Sequence, residues 1–139
     1  MKKIETLVDD INKLFTSEDP PISENKVDAF VDEFATAIKG HVKKFLYEIP
    51  RQEGNLRLSA IGKPDRQLWY DINKPNKEPL SSSTRIKFLY GYLLEELLIL
   101  LSLVAGHKVT HQQKEVYVAG IKGHQDCMID DVLVDCKSA

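Results

Sequence analysis

The chain has no long apolar run and no excess of positive charge. Its longest uninterrupted apolar stretch is 97–101, far shorter than the ~20 residues that cross a bilayer as a helix. Its first residues, MKKIETLVDD, include lysines but lack the apolar segment of a secretory signal peptide. These absences predict a cytoplasmic protein with no membrane partner.

The chain also has no net positive charge and little cysteine. The formal net charge is −2, so any contact with nucleic acid must come from a local basic patch and not from the field of the whole chain. Cys127 and Cys136 are the only cysteines, and we expect small buried side chains and not a disulfide or a metal-binding pair. The 139 residues, 42% of them hydrophobic, suffice for one domain with a real core.

Apolar residues recur at helical spacing in three segments. Residues 2–16 predict an amphipathic helix, and Ser23 is placed to cap a second, longer one. Simple helix packing explains both stripes, and docking of a partner helix is the alternative. The third helix, 84–105, stops at Gly106 and is apolar nearly all the way round, which predicts burial on more than one side.

Glu95 and Glu96 are the informative residues of the third helix. At ~100° per residue, Glu95 points away from the face of Ile86, Leu93 and Leu97. Its neighbours on the helix are Phe88, Gly91, Ile99 and Ser102. A glutamate in such surroundings is costly unless it is paired or bound to a metal. The alternative is a solvated or salt-bridged glutamate.

The C-terminal segment, from residue 116 onward, has the pattern of a β-hairpin. The strand-like runs 125–129 and 132–137 are separated by Asp130-Asp131, the only turn signal between them. This loop predicts the pairs Ile129–Val132, Met128–Leu133 and Cys127–Val134, and then Asp126–Asp135 and His124–Lys137.

Asp126, Asp135 and Lys137 would share one face of this hairpin, because side chains alternate along a strand. Two carboxylates paired across a ladder repel each other unless something neutralises them. A divalent cation does so well, because hard cations prefer oxygen ligands. A solvated edge hairpin is the alternative.

Asp126 followed by Asp135-Cys136-Lys137 resembles the D…(D/E)xK signature of the PD-(D/E)XK nuclease superfamily. The lead-in Gly123-His124-Gln125-Asp126 is similar to the RecB-type and phage-recombination exonuclease branch. The resemblance implies Mg²⁺ or Mn²⁺ at Asp126 and Asp135, with Glu95 assisting directly or through water and Glu96 as the alternative. It also implies that Lys137 orients or activates the attacking water.

Residues 56–70 are similar to the N-terminal segment of phage-type exonucleases, in which a serine and arginines line the DNA end. The resemblance implies DNA contacts by Arg57, Ser59, Lys63, Arg66 and His124. Simple packing of the apolar residues, with the charges solvated, is the alternative.

The implied fold is α/β, a restriction-endonuclease-like core in which a helix precedes a three-stranded, mainly antiparallel sheet with 109–118 as the first strand. We expect a helical hairpin over 1–55 and this core over 56–139, forming one compact unit. The family's core continues beyond its lysine, so the resemblance implies a truncated core. The chain would be part of a longer product, or a second chain would complete the site, or the domain would be a relic.

The expected function is metal-dependent hydrolysis of DNA phosphodiesters by an exonuclease of recombination or repair. The main alternative is a non-catalytic module of nuclease-like fold that binds DNA ends or a protein. A helical interaction protein whose hairpin only caps a sheet edge is a third hypothesis.

Overall fold

The computed structural model describes residues 2–17, 21–48, 54–73 and 79–137. Within them the chain is mixed α/β, with helices first and short antiparallel strands last. The predicted fold class is therefore confirmed at this level. The connections predicted around 18–20, 49–53 and 74–78 lie outside the described residues.

The three predicted helices lie close to their predicted positions, and a further short helix lies between the second and the third. They are α1 (Leu7–Leu14), preceded by a 3₁₀ turn (Ile4–Thr6), α2 (Glu24–Tyr47), α3 (Asp65–Asn73) and α4 (Ser82–Val104). Ser23 occupies the N-cap of α2 without a side-chain cap bond. Ser81 caps α4, and its hydroxyl accepts a hydrogen bond from the Thr84 amide at 3.3 Å. Residues 58–60, where Ser59 was expected to cap a turn, form a 3₁₀ turn with Arg57 at the N-cap.

The C-terminus of α4 has the hydrogen bonds of a Schellman motif. The Gly106 amide donates to the Leu103 carbonyl and the His107 amide to the Ser102 carbonyl, both at 2.9 Å. Gly106 has φ +82°, a conformation that glycine adopts without the strain of a Cβ. The predicted end of this helix is confirmed.

The strands form two sheets and not one. The strands are β1 (Val109–Thr110), β2 (Lys114–Val118), β3 (Ile121–Gln125), β4 (Cys127–Ile129) and β5 (Val132–Val134). One sheet has the order β1-β4-β5, and β2 pairs only with β3. The prediction of a single strand over 109–118 is wrong, because His111 and Gln113 adopt positive φ between β1 and β2.

The predicted hairpin register is confirmed between β4 and β5, where Ile129, Met128 and Cys127 pair with Val132, Leu133 and Val134. Asp130 and Asp131 have φ of 49° and 66°, as a two-residue type I′ loop requires.

The ladder ends at the Cys127–Val134 pair, so Asp126 and Asp135 lie immediately beyond it. The predicted pairing of His124 with Lys137 is wrong, because His124 belongs to β3 and pairs with Glu115 of β2.

The core lies between α1 and the three-stranded sheet. Its buried centre is formed by Leu7, Cys127 and Ile129, against which further apolar side chains pack: Ile4, Ile11, Val109 and Val134. Removing such side chains from water is the main term that holds α1 on the sheet.

Helix α2 runs along α4, and three contacts fix their alignment. The Arg85 guanidinium donates to the Phe45 carbonyl. The His41 and Tyr92 rings stack with centroids 4.3 Å apart, and His41 Nε2 lies 3.2 Å from Glu96 Oε1.

The fully buried residues of α4 form one face, that of Glu95, Ile99 and Ser102. The predicted direction of Glu95 is confirmed. Helix α2 covers a second side, where Tyr92 and Glu96 contact His41, so the expected burial on more than one side is confirmed. The remaining side is open, because Ile86, Leu93 and Leu97 are 67%, 38% and 38% exposed. Among the described residues, the model has no helix with the length and apolar character to span a membrane.

Candidate active site

Asp126 occupies the single-residue junction between the two sheets, after β3 ends and before β4 begins. Its carboxylate Oδ2 accepts a hydrogen bond from the Cys136 amide at 2.8 Å. Its backbone carbonyl accepts one from the Gln113 amide, also at 2.8 Å. The half-buried Asp126 side chain is therefore held between the end of β5 and the β1–β2 connection.

Asp135 and Lys137 stand beside it on the segment after β5. Lys137 Nζ donates to Asp135 Oδ1 at 2.9 Å, and both side chains are mostly exposed. The hydrogen bond from Lys137 lowers the pKa of Asp135, and a hydrogen bond with Asp126 lowers it further. The hydrogen bond with Asp135 in turn raises the pKa of Lys137. The surroundings of Asp135 thus favour its charged form, against the smaller effect of desolvation.

Glu95 approaches the same site from α4. Its side chain is buried, and the Gln113 side-chain amide donates a hydrogen bond to its Oε1. Burial raises the pKa of Glu95, and the negative charges of Asp126 and Glu96 raise it further, against the Gln113 hydrogen bond.

Glu96 instead lies against His41 of α2. Gln113 hydrogen-bonds both the Glu95 side chain and the backbone carbonyl of Asp126. Of the two glutamates, Glu95 is therefore the one connected to Asp126.

The site opens into a cleft of about 1100 Å³. Asp126, Asp135 and Lys137 line it together with basic and polar side chains from three other parts of the fold: Lys44 of α2, Arg57 and Ser59 of the segment before α3, and Lys122 and His124 of β3. Acidic groups and cationic groups are therefore brought to one depression although the chain as a whole has no basic excess.

Three of the predicted DNA contacts, Arg57, Ser59 and His124, line the cleft. The other two, Lys63 and Arg66, lie outside its lining. Lys63 Nζ pairs with Asp71 Oδ2 at 3.3 Å, and the Arg66 guanidinium sits 5.9 Å from the centroid of the Tyr70 ring.

One wall of the cleft is fixed by a close contact with β3. Arg57 forms an isolated parallel bridge with Lys122. A Cβ built on Gly123 would lie 2.6 Å from Leu58 Cδ1 and 2.9 Å from Leu58 Cβ, so Leu58 packs directly on the glycine backbone. The 3₁₀ turn that contains Ser59 is thereby held against the strand that leads to Asp126.

Sequence reasoning gave no role to Gln113, Lys44 or Lys122. Gln113 bonds both the Asp126 backbone and the Glu95 side chain, and only its place in a polar run before a strand could have suggested it. Lys44 lies on a helix assigned to packing, and Lys122 lies on the strand that was merged with the hairpin. Nothing in their local sequence separates them from ordinary surface lysines.

Both cysteines are free, with Cys127 fully buried and Cys136 partly so. Burial raises the pKa of Cys127 to about 12 and also raises the pKa of Cys136. Neutral thiols behave as small apolar groups and not as thiolate ligands or nucleophiles, which agrees with the expectation from sequence.

The acidic groups are partly suited to a hard cation. Asp126 and Asp135 supply carboxylate oxygens, the ligand type that Mg²⁺ and Mn²⁺ prefer. Across residues 2–17, 21–48, 54–73 and 79–137, however, no three His, Cys, Asp or Glu side chains are grouped closely enough to hold a metal ion. A three-carboxylate site would require Glu95 to turn from Gln113 and Asp135 from Lys137.

No protein-family model, no curated protein and no solved structure matches this chain. The interpretation of the site therefore depends on its own geometry and on the motif in its sequence.

Proposed function

We propose that this chain binds DNA in the cleft and, with Mg²⁺ or Mn²⁺, hydrolyses its phosphodiester bonds. The observation that carries the proposal is the position of Asp126, Asp135 and Lys137 in the lining of one cleft, with the buried Glu95 bonded to Gln113, which also lines it. The acidic residues and Lys137 come from α4, the junction of the two sheets and the segment after β5. An exonuclease of recombination or repair, with a restriction-endonuclease-like core, is the finer form of this proposal.

Each residue has a definite task in this proposal. Asp126 and Asp135 would hold the metal, which supplies Lewis-acid stabilisation of the charge that develops on phosphate. Lys137 would leave Asp135 and orient the attacking water through its ammonium group. Glu95 would assist from α4, either directly or through a water molecule. Arg57, Ser59, His124, Lys44 and Lys122 would bind the phosphate backbone along the cleft.

A second candidate, a non-catalytic DNA-binding module, is favoured by two observations. No ready-made three-ligand group exists among the described residues, and Lys137 is already paired with Asp135. In this alternative the acidic groups shape the cleft, and the same basic residues hold DNA without cleaving it.

The test is cleavage of end-labelled duplex DNA by the purified chain with Mg²⁺, with Mn²⁺ and with EDTA. We expect metal-dependent cleavage that Asp135→Asn and Asp126→Asn abolish. Asp131→Asn is the matched control, because Asp131 is an exposed acid on the same hairpin whose side chain pairs with Lys108. Metal-independent binding without cleavage would favour the module, and the absence of both would refute the two candidates.

A further inference from the structure

Helix α3 carries an exposed face of two aromatic rings and a cation. Arg66, Trp69 and Tyr70 are spaced i, i+3 and i+4 and therefore share one side of the helix. Trp69 is 53% exposed and Tyr70 is 41% exposed. Their rings meet edge to face, with centroids 5.2 Å apart and planes at 89°. The Arg66 guanidinium lies over the Tyr70 ring.

Large apolar side chains are exposed at several places in this chain, but on α3 two aromatic rings are exposed together beside a cation. Every residue of α3 except Leu68 and Asp71 is exposed. The two rings are therefore accessible to a ligand. A nearby cation suits an anionic occupant, and flat rings suit planar groups.

The last turn of α3 adjoins the segment that forms one wall of the cleft. Gly54 packs on the last turn of α3, since a Cβ at that glycine would collide with the Ile72 carbonyl. The next residues along the chain, Asn55 to Ser59, line the cleft itself. An extended ligand that leaves the cleft along this wall therefore reaches α3 within a few residues of the phosphate-binding groups.

We propose that Arg66, Trp69 and Tyr70 form a stacking platform for the unpaired bases of a single-stranded DNA end whose backbone enters the cleft. The proposal rests on the proposed function, in that the cleft must accept DNA. Aromatic stacking accepts any base, because every base has a π-face, and basic residues follow the phosphates. The substrate is then an end with an unpaired strand and not a blunt duplex.

Trp69 is the only tryptophan of the chain, so its fluorescence reports contact with the platform directly. We expect unlabelled oligo(dT) to quench this fluorescence saturably in EDTA, and blunt duplex DNA to quench it far less. Binding measured by anisotropy of a labelled oligo(dT) should weaken roughly 5- to 100-fold in Trp69→Ala. Trp69→Phe should restore most of the affinity, because phenylalanine keeps a stacking ring.

Phe88→Ala is the matched control, because Phe88 is 49% exposed on α4 and is not a lining residue of the cleft. Its affinity for oligo(dT) should be unchanged. Quenching without cleavage of any DNA would support the platform and refute hydrolysis. Cleavage of DNA with a single-stranded end that Trp69→Ala leaves unchanged, together with unquenched fluorescence, would refute the platform and leave hydrolysis standing. Unquenched fluorescence without cleavage would refute both, and a protein partner of α3 would then be the remaining explanation.

Discussion

At the scale of single residues, Glu95 is the side chain whose surroundings oppose its charge most clearly. It is buried and lies near the negative charges of Asp126 and Glu96, and this unfavourable setting is opposed by the Gln113 hydrogen bond and the charge of His41. A group in this position either holds a proton or receives a cation, and each outcome has a measurable signature.

The first prediction concerns Glu95→Gln in the metal-free protein. Because folding raises the pKa of Glu95 above its ordinary 4.5, the protonated form stabilises the folded state. That stability is complete below the unfolded pKa and is lost as pH rises through the folded pKa. We therefore expect Glu95→Gln to melt at a higher temperature than the wild type at about pH 8 in EDTA, and nearly equally at about pH 4.

Glu96→Gln is the control for this prediction, because Glu96 lies within hydrogen-bond distance of His41 Nε2. It should bring no gain at the higher pH. The proposed metal site adds a further expectation, that Mn²⁺ raises the melting temperature less in Glu95→Gln than in the wild type. Equal pH profiles of wild type and Glu95→Gln would contradict the buried charged state of this glutamate.

At the scale of elements, two close contacts support the site. The 3₁₀ turn at 58–60 packs on β3, and the β4–β5 loop is hydrogen-bonded to the residues that follow α4. The first is the contact of Leu58 with Gly123. In the second, Asp130 accepts hydrogen bonds from His107 Nδ1 at 2.6 Å and from the Lys108 amide at 3.0 Å.

The second prediction is that Gly123→Ala destabilises the protein by about 1–3 kcal/mol, because overpacking forces Leu58 and the turn away from β3. Adding Leu58→Ala should restore part of the loss, since the smaller side chain makes room for the new methyl group. Urea unfolding of the two single variants and the double variant measures the coupling. Gly91→Ala is the control, because a Cβ there meets open space, and it should stabilise α4 by up to about 1 kcal/mol.

The third prediction is that Asp130→Ala costs about 1–3 kcal/mol more than Asp131→Ala in the free energy of unfolding. Both residues have positive φ, so the backbone strain of alanine is similar in the two variants. Only Asp130 has a buried side chain, which is 2% exposed and accepts the His107 and Lys108 hydrogen bonds. Equal losses in urea unfolding would show that these bonds contribute nothing beyond the turn geometry.

The stability that Asp130 contributes through these contacts depends on pH, because the pKa of Asp130 is lowered in the folded protein. Burial opposes the charge, but the hydrogen bonds from His107 and the Lys108 amide outweigh it. Because the folded pKa lies below the ordinary 3.8, the contribution is present above that pH and is lost as pH falls through the folded value. The gap between Asp130→Ala and Asp131→Ala should therefore shrink in acid.

The sequence allowed the local geometry to be predicted wherever one short rule determined it. The Asp130-Asp131 loop determined the β4–β5 register, and the helical angle determined the side of Glu95. The division into two sheets could not be predicted, because 109–118 contains no glycine or proline to mark a break in the strand. Only the positive φ of His111 and Gln113 interrupts it, and non-glycine residues give no reliable signal of that conformation.

The site was predictable as a set of acidic residues but not as a network. Hydrogen bonds such as those of Gln113 join positions far apart in sequence, and no local pattern records them. The same applies to Lys44, which reaches the cleft only because α2 packs along α4.

At the scale of the whole molecule, two further apolar surfaces besides the aromatic face of α3 bear on association. One is the exposed face of α4 with Ile86, Leu93 and Leu97. The other is the edge strand β5, where Leu133 is 62% exposed and Val132 is 43% exposed. An edge strand offers unpaired backbone groups to another chain, and a large apolar patch favours association.

The fourth prediction is that the purified chain associates in a concentration-dependent manner through the β5 edge. We expect Leu133→Lys to reduce this association, because a charged side chain on an edge strand opposes pairing with a second chain. Leu93→Lys tests the α4 face in the same way. Sedimentation velocity over a range of concentrations measures both, and a monomer at every concentration in the wild type would contradict the prediction.

The separation of the two ladders at Asp126 also has a consequence for how the cleft could change in size. Because the β2–β3 register is independent of the β4–β5 register, residues can be inserted at the Ala119-Gly120 tip without moving Asp126. Each added residue per strand lengthens that arm by about 3.4 Å and reverses the faces. Insertions of two residues per strand therefore preserve the direction of its side chains. The wall that bears Lys122 is thus a part that evolution or design can extend in steps, while the acidic groups keep their positions.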